Sequence, residues 1–208
     1  MKIVPLMMML ALAGCATKVQ PPAWKPDAQS ALEGFTDAYL AGDTPAARTE
    51  FSRARTASTG TGDAVAVAQV ELVRCAAQTA SLEIDDCPGF TTLAVDATPA
   101  QRAYAAYLAG RWQGLDRALL PEQHRGTALA AIADPLSRLV AAGAALRAGQ
   151  LTPEGIVTAT DTASTQGWRR PLLAWLLIQA QRAEQGGAVE EAARTRRRIA
   201  LVEQAPAK

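Results

Sequence analysis

The chain has 208 residues, with 21 Lys and Arg against 20 Asp and Glu, for a formal net charge of +1. That balance provides no global field for a nucleic-acid backbone or an acidic substrate, so no nucleic-acid partner is expected. Aromatic residues make up 5% of the chain and alanine is abundant; because alanine favours helices while strands draw on aromatic and β-branched residues, the expected fold class is all-α.

At the N-terminus Lys2 precedes an apolar run, Ile3 to Leu12, interrupted by Pro5, and the small residues Ala13 and Gly14 follow. These are the parts of a secretory signal. A run of about ten residues is too short to cross the ~30 Å of bilayer hydrocarbon as a helix. The stretch Leu12-Ala13-Gly14-Cys15 resembles the lipobox of bacterial lipoproteins. The resemblance implies cleavage after Gly14 and a diacylglyceryl thioether with an N-acyl chain, such as palmitate, on Cys15. Durable anchoring needs more than one acyl chain, because a single chain holds a protein only marginally. Ala16, where an aspartate tends to retain lipoproteins in the inner membrane, implies the outer membrane and a periplasm-facing domain. Residues 1–14 are then a removed signal peptide, 15–26 a lipidated cysteine with a tether containing Pro21, Pro22 and Pro26, and 27–208 a single helical domain with room for a substantial core. At ~3.3 Å per residue the extended tether reaches roughly 35 Å from the bilayer.

Helix signals then follow one another. Leu32, Phe35, Tyr39 and Leu40 give the first helix an apolar face, and Gly42-Asp43 ends it. Thr44-Pro45 starts a second helix that carries Ala47, Phe51 and Ala54 and stops in the polar stretch Thr56 to Gly62. Asp63 is the expected N-cap of a third. Its opening AVAVAQV alternates like a strand, but the apolar pattern runs on to Ala80, longer than a usual strand. Ile84 to Asp96 is irregular, and Thr98-Pro99 restarts a helix through Tyr104, Tyr107 and Leu108. Asp134-Pro135, Thr152-Pro153 and Arg170-Pro171 place proline where a helix can begin. The run LLAWLLI, Leu172 to Ile178, is apolar all round and is expected to be the most buried helix, and the last helix runs from Ala188 to about Glu203.

Beyond Cys15, two cysteines remain. In the oxidising compartment that the lipobox implies, Cys75 and Cys87 are expected to form a disulfide, with two buried free thiols as the alternative. No metal site is expected: only His124 could add an imidazole ligand, and it lies far along the chain.

Four segments share a helix end, a glycine turn and a new helix: AYLAGDTPAARTEF from Ala38, AYLAGRWQGLDRAL from Ala106, ALRAGQLTPEGIV from Ala145 and RAEQGGAVEEAAR from Arg182. Their glycines, Gly42, Gly110, Gly149 and Gly187, are separated by 68, 39 and 38 residues. Those intervals suit a helical-hairpin period of roughly 34 to 47. The pattern resembles a degenerate array of tetratricopeptide-type repeats, with Ala38, Gly42, Asp43, Ala47 and Phe51 the best match and Ala183, Gly187 and Ala192 a second. The array lacks the tryptophan–leucine–glycine helix of that family, and Cys75 occupies the middle of a helix where a repeat is missing. The expected architecture is a helical-hairpin array or a compact α-bundle.

No catalytic constellation is legible. The chain has no nucleophile elbow, P-loop or dinucleotide glycine fingerprint, and no cofactor is expected. His124 reads as an exposed or capping histidine, and Glu83, Asp85 and Asp86 as a solvated turn. Glu122 and Glu154 are the carboxylates an enzyme reading would have to use. Two groups are candidate partner contacts: Trp168, Arg169 and Arg170, because Trp and Arg are enriched at interface hot spots, and Arg194, Arg197 and Arg198 on the last helix, where Glu190 and Arg194 are spaced to pair. A small-molecule pocket near Trp112, Trp168 and Trp175 is the ligand-binding alternative. The leading expectation is a non-enzymatic, membrane-anchored interaction or assembly module with a periplasmic or outer-membrane protein partner.

Overall fold

The computed structural model describes residues 22–204. The expected signal peptide (residues 1–14), the lipidation site Cys15 and tether residues 16–21 lie outside the described residues. Trp24, Lys25 and Pro26, expected at the end of the tether, form the first turn of helix α1 (Trp24–Ala41). This helix closes on Gly42, whose φ of 91° suits a residue without a Cβ. The turn lets the Asp43 N–H reach the Ala38 carbonyl at 2.9 Å, satisfying an end group the helix leaves open. Asp43 then caps α2 (Thr44–Thr59) by accepting the Ala46 N–H at 3.0 Å. The second helix runs past its expected stop at Thr56, and the Thr59 hydroxyl donates back to the Arg55 carbonyl at 2.6 Å.

Asp63 caps α3 (Ala64–Ala80), accepting the Val65 N–H at 2.9 Å, and the AVAVAQV run is helical throughout. A short α4 (Pro88–Thr91) and α5 (Pro99–Leu108) follow, the latter opened by a reciprocal capping box between Thr98 and Gln101. Three single 3₁₀ turns, Arg117–Leu119, Glu122–His124 and Leu129–Ala131, lead to α6 (Pro135–Arg147). The chain continues through α7 (Pro153–Gln166), α8 (Arg169–Gln185) and α9 (Val189–Gln204). Among the described residues there are nine α-helices and no strand, and no helix is long and apolar enough to cross a membrane. The fold is all-α.

Gly42, Gly149 and Gly187 all have positive φ, and each turn joins two helices that pack on each other: α1 on α2, α6 on α7 and α8 on α9. Gly110 also has positive φ, but the helix expected after it does not form. Trp112 instead folds back on α5, stacking on Tyr107 at 5.3 Å and donating its Nε1–H to the Tyr107 carbonyl at 3.0 Å. The hairpins gather around α3, which touches α1, α2, α4, α5 and α6. This makes α3, rather than α8, the helix with the most buried residues: LLAWLLI is two-sided, with Trp175 and Leu176 buried and Leu177 51% exposed. The reason is placement, since α8 packs on α7, α9 and α1 and leaves its remaining face uncovered.

Helices α3 and α6 approach closely at Gly143. A Cβ at Gly143 would collide with the Thr79 carbonyl oxygen, so glycine is required by contact rather than by dihedral angle. Near this seam the disulfide between Cys75 and Cys87 ties α3 to the irregular segment before α4. Trp175 donates its Nε1–H to the Ala80 carbonyl at 3.0 Å, and Arg147 donates to the carbonyls of Asp85 and Leu108 at 3.0 and 3.4 Å.

Two outcomes follow. Gly143→Ala is expected to destabilise the domain by about 1–3 kcal/mol, because overpacking forces the two backbones apart; thermal unfolding followed by circular dichroism checks this, with Gly126→Ala as a comparison where no atom is crowded and φ is not positive. Reducing the disulfide is expected to cost about 3 kcal/mol through the freedom regained by the unfolded chain, read as a lower denaturation midpoint in dithiothreitol.

Candidate functional site

Helices α3, α5 and α6 do not meet along their whole length, and the Leu119–His124 segment closes one side of the space between them. The result is a cleft of about 490 Å³, within the usual size range of ligand pockets. The faces are set by helical spacing. Gln69, Leu72, Val73 and Ala76 come from successive turns of α3, Ala100, Gln101 and Tyr104 from α5, and Leu136, Ser137 and Val140 from α6. No Asp, Glu, Lys or Arg lines it. Gln69, Ala100, Leu119 and Gln123 are exposed at its rim, so the cleft opens to solvent.

The polar groups differ in what they have left to offer. Gln101 is committed: its Oε1 accepts the Thr98 N–H at 3.1 Å and its Nε2 donates to the Val65 carbonyl at 2.9 Å, fixing α5 to the start of α3. Gln123 donates to the Ser137 hydroxyl at 3.4 Å, and the Asp134 cap holds the Ser137 N–H at 2.7 Å. His124 departs from the sequence expectation of an exposed or capping residue: it is 1% exposed. Its ring lies against Tyr104 and Tyr107, with centroids 5.6 and 5.1 Å away. The turn Glu122–His124 carries the ring inward, and PEQHRG gives no apolar periodicity that would have announced it. Its Nδ1 is buried without a hydrogen-bond partner.

Burial dominates the electrostatics. It lowers the His124 pKa to about 4, with the Asp134 carboxylate opposing part of the shift. Burial also pushes the Tyr107 phenol up to about 12, against the opposing pull of Arg117, and raises that of Tyr104 further. The imidazole is therefore uncharged at neutral pH and a weak base. Ser137 shares the cleft, but its hydroxyl is bonded to Gln123 and no hydrogen bond joins it to the imidazole.

The other residues singled out by sequence are dispersed. Arg169 donates to the Val202 and Glu203 carbonyls at 3.1 and 3.3 Å. Arg170 donates to the Tyr39 carbonyl at 2.7 Å, the Thr44 hydroxyl at 2.7 Å and the Glu83 carboxylate at 2.8 Å, and lies over the Tyr39 ring at 4.3 Å. Both guanidinium groups thus satisfy carbonyls at helix ends, and Trp168 packs against two parts of the core. All three remain partly exposed while making these contacts within the chain. Arg194 and Arg197 remain exposed on α9 and Arg198 is half-buried. Glu190 and Arg194 form no ion pair among the described residues; the pair made there is Arg196 with Glu184.

Trp112, Trp168 and Trp175 do not line this cleft. Glu154 is fully exposed in the first turn of α7, where hydrogen bonds from its own backbone N–H and from Thr152 lower its pKa, and Glu122 is exposed on a 3₁₀ turn. The buried carboxylate is Glu71, 2% exposed, paired with Arg55 at 3.0 Å and Arg74 at 2.8 Å. An acidic residue within the apolar run of α3, three residues before Arg74, was the available signal for it. Near the disulfide, Asp85 approaches both sulfurs, but their bond to each other removes them as thiolate ligands.

His124 also carries a pH signature. Its folded-state pKa lies below the ordinary 6.5, so the unfolded chain binds more protons between those values. The stability this contributes is present above about pH 6.5 and is lost as pH falls toward about 4. His124→Phe is expected to flatten that part of the stability profile, measured as the difference in urea midpoint between wild type and variant from pH 7 to pH 4.

No family model matches the chain, and no curated protein and no solved structure matches it either. The chemistry of its cleft therefore stands on its own residues.

Proposed function

We propose that this chain is a lipid-anchored outer-membrane protein facing the periplasm, and that its helical domain is a binding module that docks an apolar segment of a periplasmic or outer-membrane protein. The observation that carries the docking reading is the cleft between α3, α5 and α6: mainly apolar, open at the rim and lined by no ionised side chain. Surfaces that hold a partner through buried anchors have this character, with polar groups at the edge and charge excluded from the centre. A catalyst reading has less support, because the cleft offers one weakly basic imidazole and no hydroxyl bonded to it.

The anchor reading rests on Leu12-Ala13-Gly14-Cys15 and on the proline-containing stretch that follows. Anchoring confines the search for a partner to a thin layer, which raises effective concentration. The exposed Arg194 and Arg197, with Arg198, give α9 a cationic face that would steer an acidic partner surface toward the domain. Paired helices joined by glycine turns, as in tetratricopeptide-type arrays, suit an accessory role in assembling or piloting an envelope machine such as a secretion or pilus complex.

Photoreactive residues placed at the exposed rim positions Gln69 and Gln123 test the docking reading in cells. A discrete protein adduct that disappears in Ala100→Trp, which fills the cleft mouth from an exposed position, is the expected result. Recovery of only lipids and abundant porins, or an adduct indifferent to Ala100→Trp, would overturn it. Separately, Cys15→Ser is expected to release the protein from the membrane fraction; retention at the wild-type level would contradict lipid anchoring.

A further inference from the structure

Resting on the reading of Cys15 as a lipid anchor, we infer that the first turn of α1 is the domain's contact with the bilayer, its Trp24 ring seated at headgroup level. The position of that ring in the fold is the first reason. Trp24 begins a stripe that continues at helical spacing through Ala28, Ala31 and Phe35, all three of them buried. Trp24 itself is only partly buried and joins none of the three apolar clusters found among the described residues. By contrast, Trp175 lies in the core, and Trp112 and Trp168 pack against it. The antiparallel partner explains the difference. Phe35 meets Phe51 of α2 at 5.5 Å, and Ala31 shares a cluster with Ala54. On that register Trp24 stands level with the turn beyond Thr59, where α2 has ended. The apolar stripe of α1 outruns the helix that covers it.

The second reason is the short length of chain between this ring and the anchor. Trp24 follows Cys15 by nine positions, so at ~3.3 Å per residue its backbone stands no farther than roughly 30 Å from the lipidated sulfur. Trp168, in contrast, packs in the cluster around Tyr39, about 22 Å along the α1 axis from Trp24. Of the four tryptophans, the one outside the core is thus the one beside the anchor. An indole suits the boundary between water and hydrocarbon, because a large apolar ring carries a single N–H.

Charge near the ring is balanced. Lys25 is exposed, with Nζ 5.7 Å from the Trp24 ring, and Asp27 adds one carboxylate to the same turn. Across the hairpin, residues 56–62 carry no ionisable side chain. On either side of that stretch Arg53 pairs with Glu50, Arg55 pairs with Glu71, and Asp63 caps α3. The ring rather than attraction to anionic lipid sets the contact, so a zwitterionic bilayer suffices.

The test uses the acylated chain as purified from membranes, reconstituted into phosphatidylcholine vesicles whose acyl chains carry bromine close to the headgroup. Bromine quenches indoles that reach it. Wild type is expected to lose emission relative to vesicles of the unbrominated lipid. Trp24→Phe, a change outside the core, is expected to abolish that loss while keeping its helical circular dichroism. Iodide, which stays in water, is expected to quench the Trp24 share of the emission less on vesicles than in the unanchored Cys15→Ser protein. Equal wild-type emission on the two lipids would overturn the inference, even with iodide protection retained, because protein rather than lipid would then cover the ring. Bromine quenching that survives Trp24→Phe would also overturn it, since another face would then lie on the bilayer. Intact mass separates this inference from the reading beneath it. A chain that carries its acyl groups yet shows no quenching of Trp24 leaves the anchor standing and removes the inference alone. A Cys15 without acyl groups removes both.

Discussion

The α3–α6 seam is the constraint on which the rest of this molecule depends. At Gly143 the backbone of α6 lies directly against the Thr79 carbonyl, with no side chain between. Contact this close at one point leaves space elsewhere along the same seam. One turn earlier on each helix the lining residues are Ala76 and Val140, and a further turn earlier they are Leu72, Val73, Leu136 and Ser137. The cleft is thus the wider continuation of that close contact. Because packed interiors tolerate few voids, a gap of this size within reach of solvent is an opening for something else to fill.

Charge is handled so that the cleft stays free of it. Arg169 and Arg170 are drawn to carbonyls at the ends of α9 and α1, Arg147 to carbonyls of the α3–α4 segment and the end of α5, and Arg55 and Arg74 to the buried Glu71. Planar guanidinium groups with several donors suit this work, because one side chain can satisfy carbonyls on two elements at once. These contacts hold the helix ends in place, and the disulfide secures the irregular segment beside them. Tyr104 and His124 lie at the cleft with Tyr107 packed against both, and the ionisable groups of all three are neutral near pH 7.

What could be read from sequence was what is local. Asp43, Asp63, Thr98, Asp134 and Thr152 each cap a helix by accepting a backbone N–H, at or next to the positions that the Pro and Asp signals indicate. The glycines at 42, 149 and 187 are helix-ending turns for the same local reason. The Cys75–Cys87 bridge was expected because these are the two cysteines left beyond Cys15 and because of the expected oxidising compartment. Features decided by distant neighbours were not legible. Leu177 is exposed because nothing packs on that side of α8, and His124 is buried because α3, α5 and α6 happen to surround its turn. The stretch after Gly110 carries an N-cap at Asp116, yet this opens only a 3₁₀ turn, since Trp112 has already redirected the chain onto Tyr107. The bonds of Arg169 and Arg170 to carbonyls of α9 and α1 likewise depend on partners far along the chain.

The packing of α3, α5 and α6 around the Glu122–His124 turn leaves His124 a buried, uncharged imidazole. It is the chain's single histidine, so its imidazole nitrogens give an unambiguous signal. A ¹⁵N NMR titration of histidine-labelled protein tests this burial directly. The imidazole is expected to stay neutral down to about pH 4. An imidazole that titrates near the ordinary 6.5 would contradict it.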